Sequence, residues 1–290
     1  MKRTLITGAT GNIGFEIIYY LSRSNTRSEI IAGVRNINKA RELFADFSML
    51  KYVHFDFENF ETFDQALSGV DRVFLLRPPH ISDIDKYFKP LILKIKEKNI
   101  KQILFLSVQG AEKSTVIPNH KIEQLIIENK IDYIFLRPSY FMQNLTTTLL
   151  RDISTKREIV LPAGKAKFNW IDVKNIGEAG AILLDKFEEY KNDAYELTGL
   201  ENENFEKVTD LINESITGSI KYRNVNPFKF YRIKRQEGMP KGRAIIMILL
   251  HFLPRFNKEP KISDFYECLT GKKPTDLKTF IGREKKQFEN

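Results

Sequence analysis

The sequence contains a single cysteine, Cys268. One thiol cannot form an internal disulfide, so folding requires no oxidising compartment. With no evident base partner, Cys268 reads as a small, partly buried side chain rather than a catalytic thiol. Histidine is also scarce. His54, His80, His120 and His251 are scattered with no paired spacing, and no metal site is expected. Long apolar runs are missing. After Met1-Lys2-Arg3 the apolar segment is only Leu5-Ile6 before Thr7 and Gly8 interrupt it, too short for a signal peptide. The greasiest stretch, 244–253, is broken by His251 and falls short of the ~20 residues that span a bilayer. A buried or interfacial helix suits it better. A cytoplasmic protein with no membrane span is the expectation. There is no Walker loop and no Gly-x-Ser-x-Gly elbow.

What is present describes a globular chain. Its 290 residues suffice for one large α/β domain or a core with a smaller lobe, and 42% hydrophobic with 29% charged residues argues against disorder. The formal charge of +9 is unevenly placed: residues 221–290 hold 17 Lys and Arg against 7 Asp and Glu, and the first 220 hold 29 against 30. A basic C-terminal third could meet nucleic acid, anionic lipid or an acidic substrate. A solvated surface explains it more simply, because no aromatic-interleaved motif accompanies the charge. A nucleic-acid role is not expected.

The first half alternates short apolar runs with amphipathic stretches. Strands are expected at 4–7, 29–34, 52–55, 72–76, 102–107 and 132–136, and helices at 15–22, 38–47, 60–67, 83–98 and 119–129. That rhythm implies right-handed βαβ units and a parallel sheet with helices on both faces. The strands are nearly continuous in apolar residues, as in Val73-Phe74-Leu75-Leu76 and Ile103-Leu104-Phe105-Leu106, which suits burial on both sides. Beyond Pro138 the pattern loosens. Helices are expected at 142–153, 175–185 and 205–217, short strands at 159–161 and 194–198, and irregular, partly helical structure over 220–290.

The strongest motif is Thr7-Gly8-Ala9-Thr10-Gly11-Asn12-Ile13-Gly14, between the first strand and the first helix. Gly8 permits the sharp turn, Gly11 removes a Cβ where a pyrophosphate comes close, and Gly14 lets the helix pack on the strand. Thr10, Asn12 and Ile13 complete the turn, whose free N–H groups and helix dipole favour phosphate. The expected fold class is therefore α/β, a Rossmann-type doubly wound parallel sheet with a smaller C-terminal substrate lobe. The core is expected over 1–155, and 156–290 adds elements to it and forms the lobe.

At the end of the second strand a dinucleotide site often carries an acid for the ribose 2′-OH. Here Val34-Arg35-Asn36 stands instead. Arg35 can clamp a 2′-phosphate with paired donors, so NADP(H) is the expected cofactor and NAD(H) the alternative. Asp56, in Phe55-Asp56-Phe57 at the end of the third strand, is placed for the adenine amino group or simply caps a loop.

Together these segments resemble the NmrA-like branch of the atypical short-chain dehydrogenase/reductase family. The similarity also takes in Phe105-Leu106-Ser107-Val108-Gln109-Gly110-Ala111, the stretch from His120-Lys121 to Ile131-Asp132-Tyr133, and Leu136-Arg137-Pro138-Ser139-Tyr140-Phe141-Met142-Gln143-Asn144. Tyr195-Glu196-Leu197-Thr198-Gly199 and Leu269-Thr270-Gly271-Lys272-Lys273-Pro274 resemble its later segments. The resemblance implies a Rossmann domain with a smaller substrate lobe. Members range from NADPH-dependent quinone reductases, azo-reductase-like and phenolic-ether reductases and alkaloid-forming dehydrogenases to cofactor-sensing regulators with little or no catalysis.

None of the 11 tyrosines has a lysine four residues later, so the usual Tyr-x-x-x-Lys proton relay is absent. The family's active-site lysine implies Lys121 as the replacement, a candidate catalytic group and nicotinamide-ribose contact. A solvated helix start is the alternative for Lys121 and its neighbour His120. Ligands in open α/β sheets sit beyond the carboxyl ends of the strands. Leu76, Arg77 and Ser107 are therefore expected to line the cofactor cleft, with His80 and Gln109 facing the substrate. Phe57, Tyr140 and Phe141 complete the expected cofactor contacts. Tyr140 is a second catalytic candidate, and Phe141 with Asn144 is expected against a flat acceptor. Hydride transfer from NADPH to a quinone or similar conjugated acceptor needs alignment and exclusion of water more than a strong proton donor. The alternative is a non-catalytic NADP-sensing regulator that binds a protein partner; a homodimer is a further expectation. A sugar-nucleotide epimerase holding NAD is opposed by Arg35 and by the missing relay.

Overall fold

Apolar runs too short for helices become parallel strands, and the amphipathic stretches between them become the crossovers. The computed structural model describes residues 2–24, 28–113, 115 and 117–289. Along the chain the elements are β1 (Arg3–Thr7), α1 (Asn12–Arg23), β2 (Glu29–Val34), α2 (Ile37–Leu43), β3 (Lys51–His54), α3 (Glu61–Ala66), β4 (Arg72–Leu76), α4 (Ile84–Glu97), β5 (Gln102–Leu106), α5 (Pro118–Glu128) and β6 (Asp132–Pro138). There follow β7 (Tyr140–Phe141), α6 (Leu150–Lys156), β8 (Glu158–Leu161), β9 (Phe168–Ile171), α7 (Val173–Asp185), α8 (Phe187–Tyr190) and β10 (Asp193–Leu197). The last elements are β11 (Asn202–Glu203), α9 (Phe205–Ser215), β12 (Lys221–Asn224), α10 (Pro227–Gln236), α11 (Lys241–Phe252), α12 (Phe265–Thr270) and α13 (Leu277–Glu289).

Two compact units share this chain. The first comprises residues 1–138, 173–197 and 268–271, and the second comprises 139–172, 198–267 and 272–290. The first unit is built on a seven-stranded sheet in the order β10-β6-β5-β4-β1-β2-β3, every pair parallel. The order reverses at β1 and β4, the switch point where such sheets bind ligands. All five residues of β5 are buried, as a strand covered on both faces demands. One face carries a core of Phe63 from α3, Phe88 and Ile92 from α4, and Ile122 and Ile126 from α5. On the other face α1 meets α7. The contact is close because Gly177 and Gly180 carry no side chain: a Cβ on Gly177 would lie 2.3 Å from the Glu16 Cβ.

The second unit has a three-stranded sheet, β11-β9-β7, and a parallel pair, β12-β8. Trp170, Phe205, Phe230, Phe280 and Phe288 anchor its core. Asn169 Oδ1 accepts from Ser139 Oγ at 2.6 Å and from the Gly199 amide at 2.7 Å, so one buried amide ties three segments. Asn204 caps α9 by accepting from the Lys207 amide, and Asn226, followed by Pro227, caps α10 on the Lys229 amide.

The helix expected over 142–153 is interrupted. A 3-10 turn at Met142–Asn144 is separate from α6. The reason lies in Thr146 and Thr147, whose hydroxyls both donate to the Gln143 carbonyl and so compete with the helical ladder. Beyond 220, where irregular and partly helical structure is expected, the described residues are more ordered, forming β12 and four α-helices. Among the described residues no helix is long and apolar enough to cross a membrane.

Candidate functional site

The glycine turn closes on itself at the switch point of the first unit. The Gly11 amide donates to the Gly8 carbonyl at 2.9 Å, and the Phe15 amide donates to Gly11 as the first bond of α1. Gly8 has φ +61°, a left-handed backbone that only glycine adopts without strain. A Cβ on Gly14 would fall 2.4 Å from the Gly8 carbonyl oxygen, so this position admits no side chain. Gly11 is the N-cap of α1; no side chain caps the helix and its first turn carries no acid. The leading N–H groups are thus left for an anion. Thr10, Gly11 and Asn12 are exposed, whereas Ile13 turns into the core.

Thr7 ties the two strands at the switch point: its hydroxyl donates to the Phe74 carbonyl at 2.9 Å and accepts from the Leu76 amide. The Leu76 side chain lies against Gly8, where a Cβ would come within 2.7 Å of it. Ser107 follows β5, the neighbour of β4. Its Oγ is the buried side-chain polar atom that lacks a hydrogen-bond partner among the described residues. A buried hydroxyl without a partner costs stability unless a ligand supplies one. Arg35, exposed at the end of β2, makes no hydrogen bond or ion pair to another described residue. Asn36 beside it is spent on capping α2, accepting from the Lys39 amide.

A dinucleotide fits these residues: a cradle that a Cβ would fill, unclaimed amides for the pyrophosphate, and a hydroxyl awaiting a partner. The glycine cradle and Ser107 would hold it, and a bound nicotinamide would supply a hydride.

Other expected residues have structural employment. The Phe57 ring is in the core against Phe55 and Phe88, so only its backbone faces outward chemistry. The Asp56 carboxylate accepts from the Glu58 amide at 3.0 Å, the loop-capping geometry. Arg77 binds the Ile81 carbonyl at 2.7 Å and Asn119 Oδ1 at 3.1 Å; burial lowers its pKa from the usual arginine value. It thereby fixes the start of α5, where Lys121 stands exposed one turn into the helix with no partner among the described residues. His120 instead turns its Nδ1 to the Ala111 carbonyl at 3.1 Å. His80 is exposed, 3.6 Å from Glu58. Gln109 donates from Nε2 to Glu196 at 3.0 Å.

Tyr140, Phe141 and Asn144 belong to the second unit. The Tyr140 ring sits among Phe168, Trp170 and Phe205. Its hydroxyl is 3.0 Å from His251 Nε2, and His251 Nδ1 is 2.7 Å from the Met247 carbonyl. The carbonyl assigns the proton to Nδ1, so Nε2 accepts from the phenol. Burial pushes the His251 pKa down to about 4 and raises that of Tyr140, with a smaller opposing effect from Asn144. Tyr140 thus keeps its proton and commits it to a neutral imidazole. Phe141 and Asn144 are partly exposed beside it.

Sequence reasoning missed this tyrosine–histidine pair, which lies 111 residues apart, and the buried ion pair of Arg137 with Glu123. In the latter the guanidinium donates twice to one carboxylate, at 3.0 and 2.6 Å. The only sequence trace of either is a histidine interrupting an apolar helix and a carboxylate on the inward face of α5.

A curated relative, Prestalk A differentiation protein A of Dictyostelium discoideum, is 29% identical over 289 residues, covering 99% of this chain and 92% of its own. NAD(P)H azoreductase of Xenophilus azovorans is 27% identical over 253 residues, 86% of each chain. The crystal structure of the NADPH-dependent quinone oxidoreductase of Escherichia coli in complex with NADPH superposes with a TM-score of 0.85 at 21% identity, over 97% of this chain and 99% of that one. The model of the NmrA-like family matches residues 1–279. The chain belongs to the NmrA-like family.

Proposed function

We propose that this protein is an NADPH-dependent oxidoreductase that delivers hydride to a quinone or a similar flat conjugated acceptor. The observation that carries the reading is the glycine cradle at the β1/β4 switch point, open to phosphate at the head of α1. The similarity to an azoreductase and to a quinone oxidoreductase supports the acceptor class. Arg35, exposed and unengaged, binds the 2′-phosphate and selects NADPH over NADH. Lys121 acts as the active-site cation in this reading, contacting the nicotinamide ribose. The acceptor gains two electrons with the hydride and a proton from solvent or Lys121, so a quinone leaves as the hydroquinone. No tyrosine relay is needed, in keeping with a Tyr140 hydroxyl already bound to His251.

The test is NADPH oxidation by the purified protein across a panel of small quinones and azo compounds, with NADH in parallel. Quinone-dependent oxidation that prefers NADPH is expected. Arg35→Ala is expected to raise KM for NADPH ~10- to 100-fold, the loss of a charge-assisted phosphate contact, while leaving NADH little changed. Lys121→Ala is expected to lower kcat with NADPH still bound. NADPH binding without turnover on any acceptor would shift the reading to a cofactor-sensing regulator.

A further inference from the structure

Helix α11 presents an apolar face to solvent. Its inner side is buried through Ala244, Met247 and His251. On the outer side Ile245, Ile246, Leu249, Leu250 and Leu253 are each 40–50% exposed, and Phe256 in the following turn is 73% exposed. At 3.6 residues per turn the five aliphatic residues fall within an arc of about 140°. Scattered exposed apolar side chains are ordinary, but a contiguous row of this kind marks an interaction surface.

The charge around the row narrows the choice of partner. No Asp or Glu occurs from 238 to 258. Lys241 and Arg243 are exposed at the head of the helix, and Arg255, Lys258 and Lys261 at its tail. The acids that border this stretch are both paired: Glu237 with Lys156 at 2.5 Å and Lys234 at 2.9 Å, and Glu259 with Lys167 at 3.2 Å. A second copy docked by symmetry on this face would bring cationic ends together whichever way the helices ran. A nucleic acid would use the cations and leave the aliphatic row wet. An anionic bilayer surface satisfies both features, with aliphatic side chains among the acyl chains and cations among the headgroups. With 12 residues, α11 would lie in the interface and not cross it.

We infer that α11 and its flanking cations form a peripheral docking surface for anionic phospholipid membranes. Binding requires the aliphatic row for insertion and the basic rim for selectivity, and it proceeds without turnover.

The experiment is flotation of the full-length protein with phosphatidylcholine vesicles, with and without phosphatidylserine, over a salt series. Binding to the anionic vesicles at least ~10-fold tighter than to neutral ones, and weakening with salt, is expected. Leu249→Ser combined with Leu253→Ser should weaken it ~10-fold or more. Arg243→Glu with Lys258→Glu should remove the preference for phosphatidylserine. Circular dichroism of each variant confirms that these exposed changes leave the fold intact. In an Ile246→Trp variant, fluorescence should shift to the blue on anionic vesicles. The inference is overturned if the wild-type protein does not float, or if the serine variant binds as well as wild type. It is likewise overturned if sedimentation shows a dimer, abolished by the serine variant, that has no vesicle affinity.

Discussion

His251 shows how much of a site can be hidden from sequence. A histidine within an apolar helix reads as an interruption, and nothing local announces a phenol 111 residues away. The glycine turn was legible because each job falls on a residue beside the next, and Gly8 and Gly14 do those jobs in the structure. The buried imidazole has a consequence for stability. Its pKa falls from the ordinary imidazole value of 6.5 to about 4 in the folded chain, with burial the principal cause. Between those values the unfolded chain binds the proton and the folded one resists it. Stability is therefore full above pH 6.5 and is lost as the pH falls towards 4, on the order of 3 kcal/mol in all. Urea unfolding of the wild-type protein and of His251→Gln should separate the two. The wild type should lose more stability than the variant between neutral pH and pH ~5. Equal losses would mean that the imidazole titrates as it does in water.

At the scale of elements, the α1–α7 contact decides whether the first unit closes. Replacing Gly177 by alanine improves helix propensity by about 1 kcal/mol. The added Cβ, however, meets the Glu16 Cβ at 2.3 Å and its backbone carbon at 2.8 Å, atoms that move only with α1 itself. Overpacking costs typically about 1–3 kcal/mol, and against backbone the upper half of that range applies, so the clash wins. Gly177→Ala should lower the urea midpoint without changing the slope; an unchanged or raised midpoint would show that α1 shifts freely. The same contrast explains what the sequence conveyed about elements. Strands of four to seven residues, most of them apolar, alternating with helices announced β1 to β6, because that rhythm has one physical meaning when the sheet is covered on both faces. In the second unit β7 and β11 are two residues each, and β9 carries a polar Asn169 at its centre. Such strands are held by partners some 30 residues away in the same chain, Ser139 and the Gly199 amide among them, which no local pattern encodes.

Across the whole molecule, the chain passes between its two units after residues 138, 172, 197, 267 and 271. Cutting at the first of these points is expected not to liberate a domain. A chain ending at 138 lacks α7, which covers Ile17 with Gly180, and β10, which pairs with β6. It should show no cooperative denaturant transition; a sharp transition like that of the full chain would make the first unit self-sufficient. The sequence places a core over 1–155 and lets 156–290 both add elements to it and form the lobe; which elements return is not written in linear order, because compactness is a property of contacts from far along the chain. There is a cost to this threading during synthesis. β6 is complete at Pro138, and its lateral partner β10 begins only at Asp193. At ~5–20 residues per second, a ribosome holds that hydrogen-bonding edge bare for roughly 3–11 s. The nascent chain is then a template for a neighbour's strand on the same polysome, so crowded translation should be the condition in which this protein most needs a chaperone.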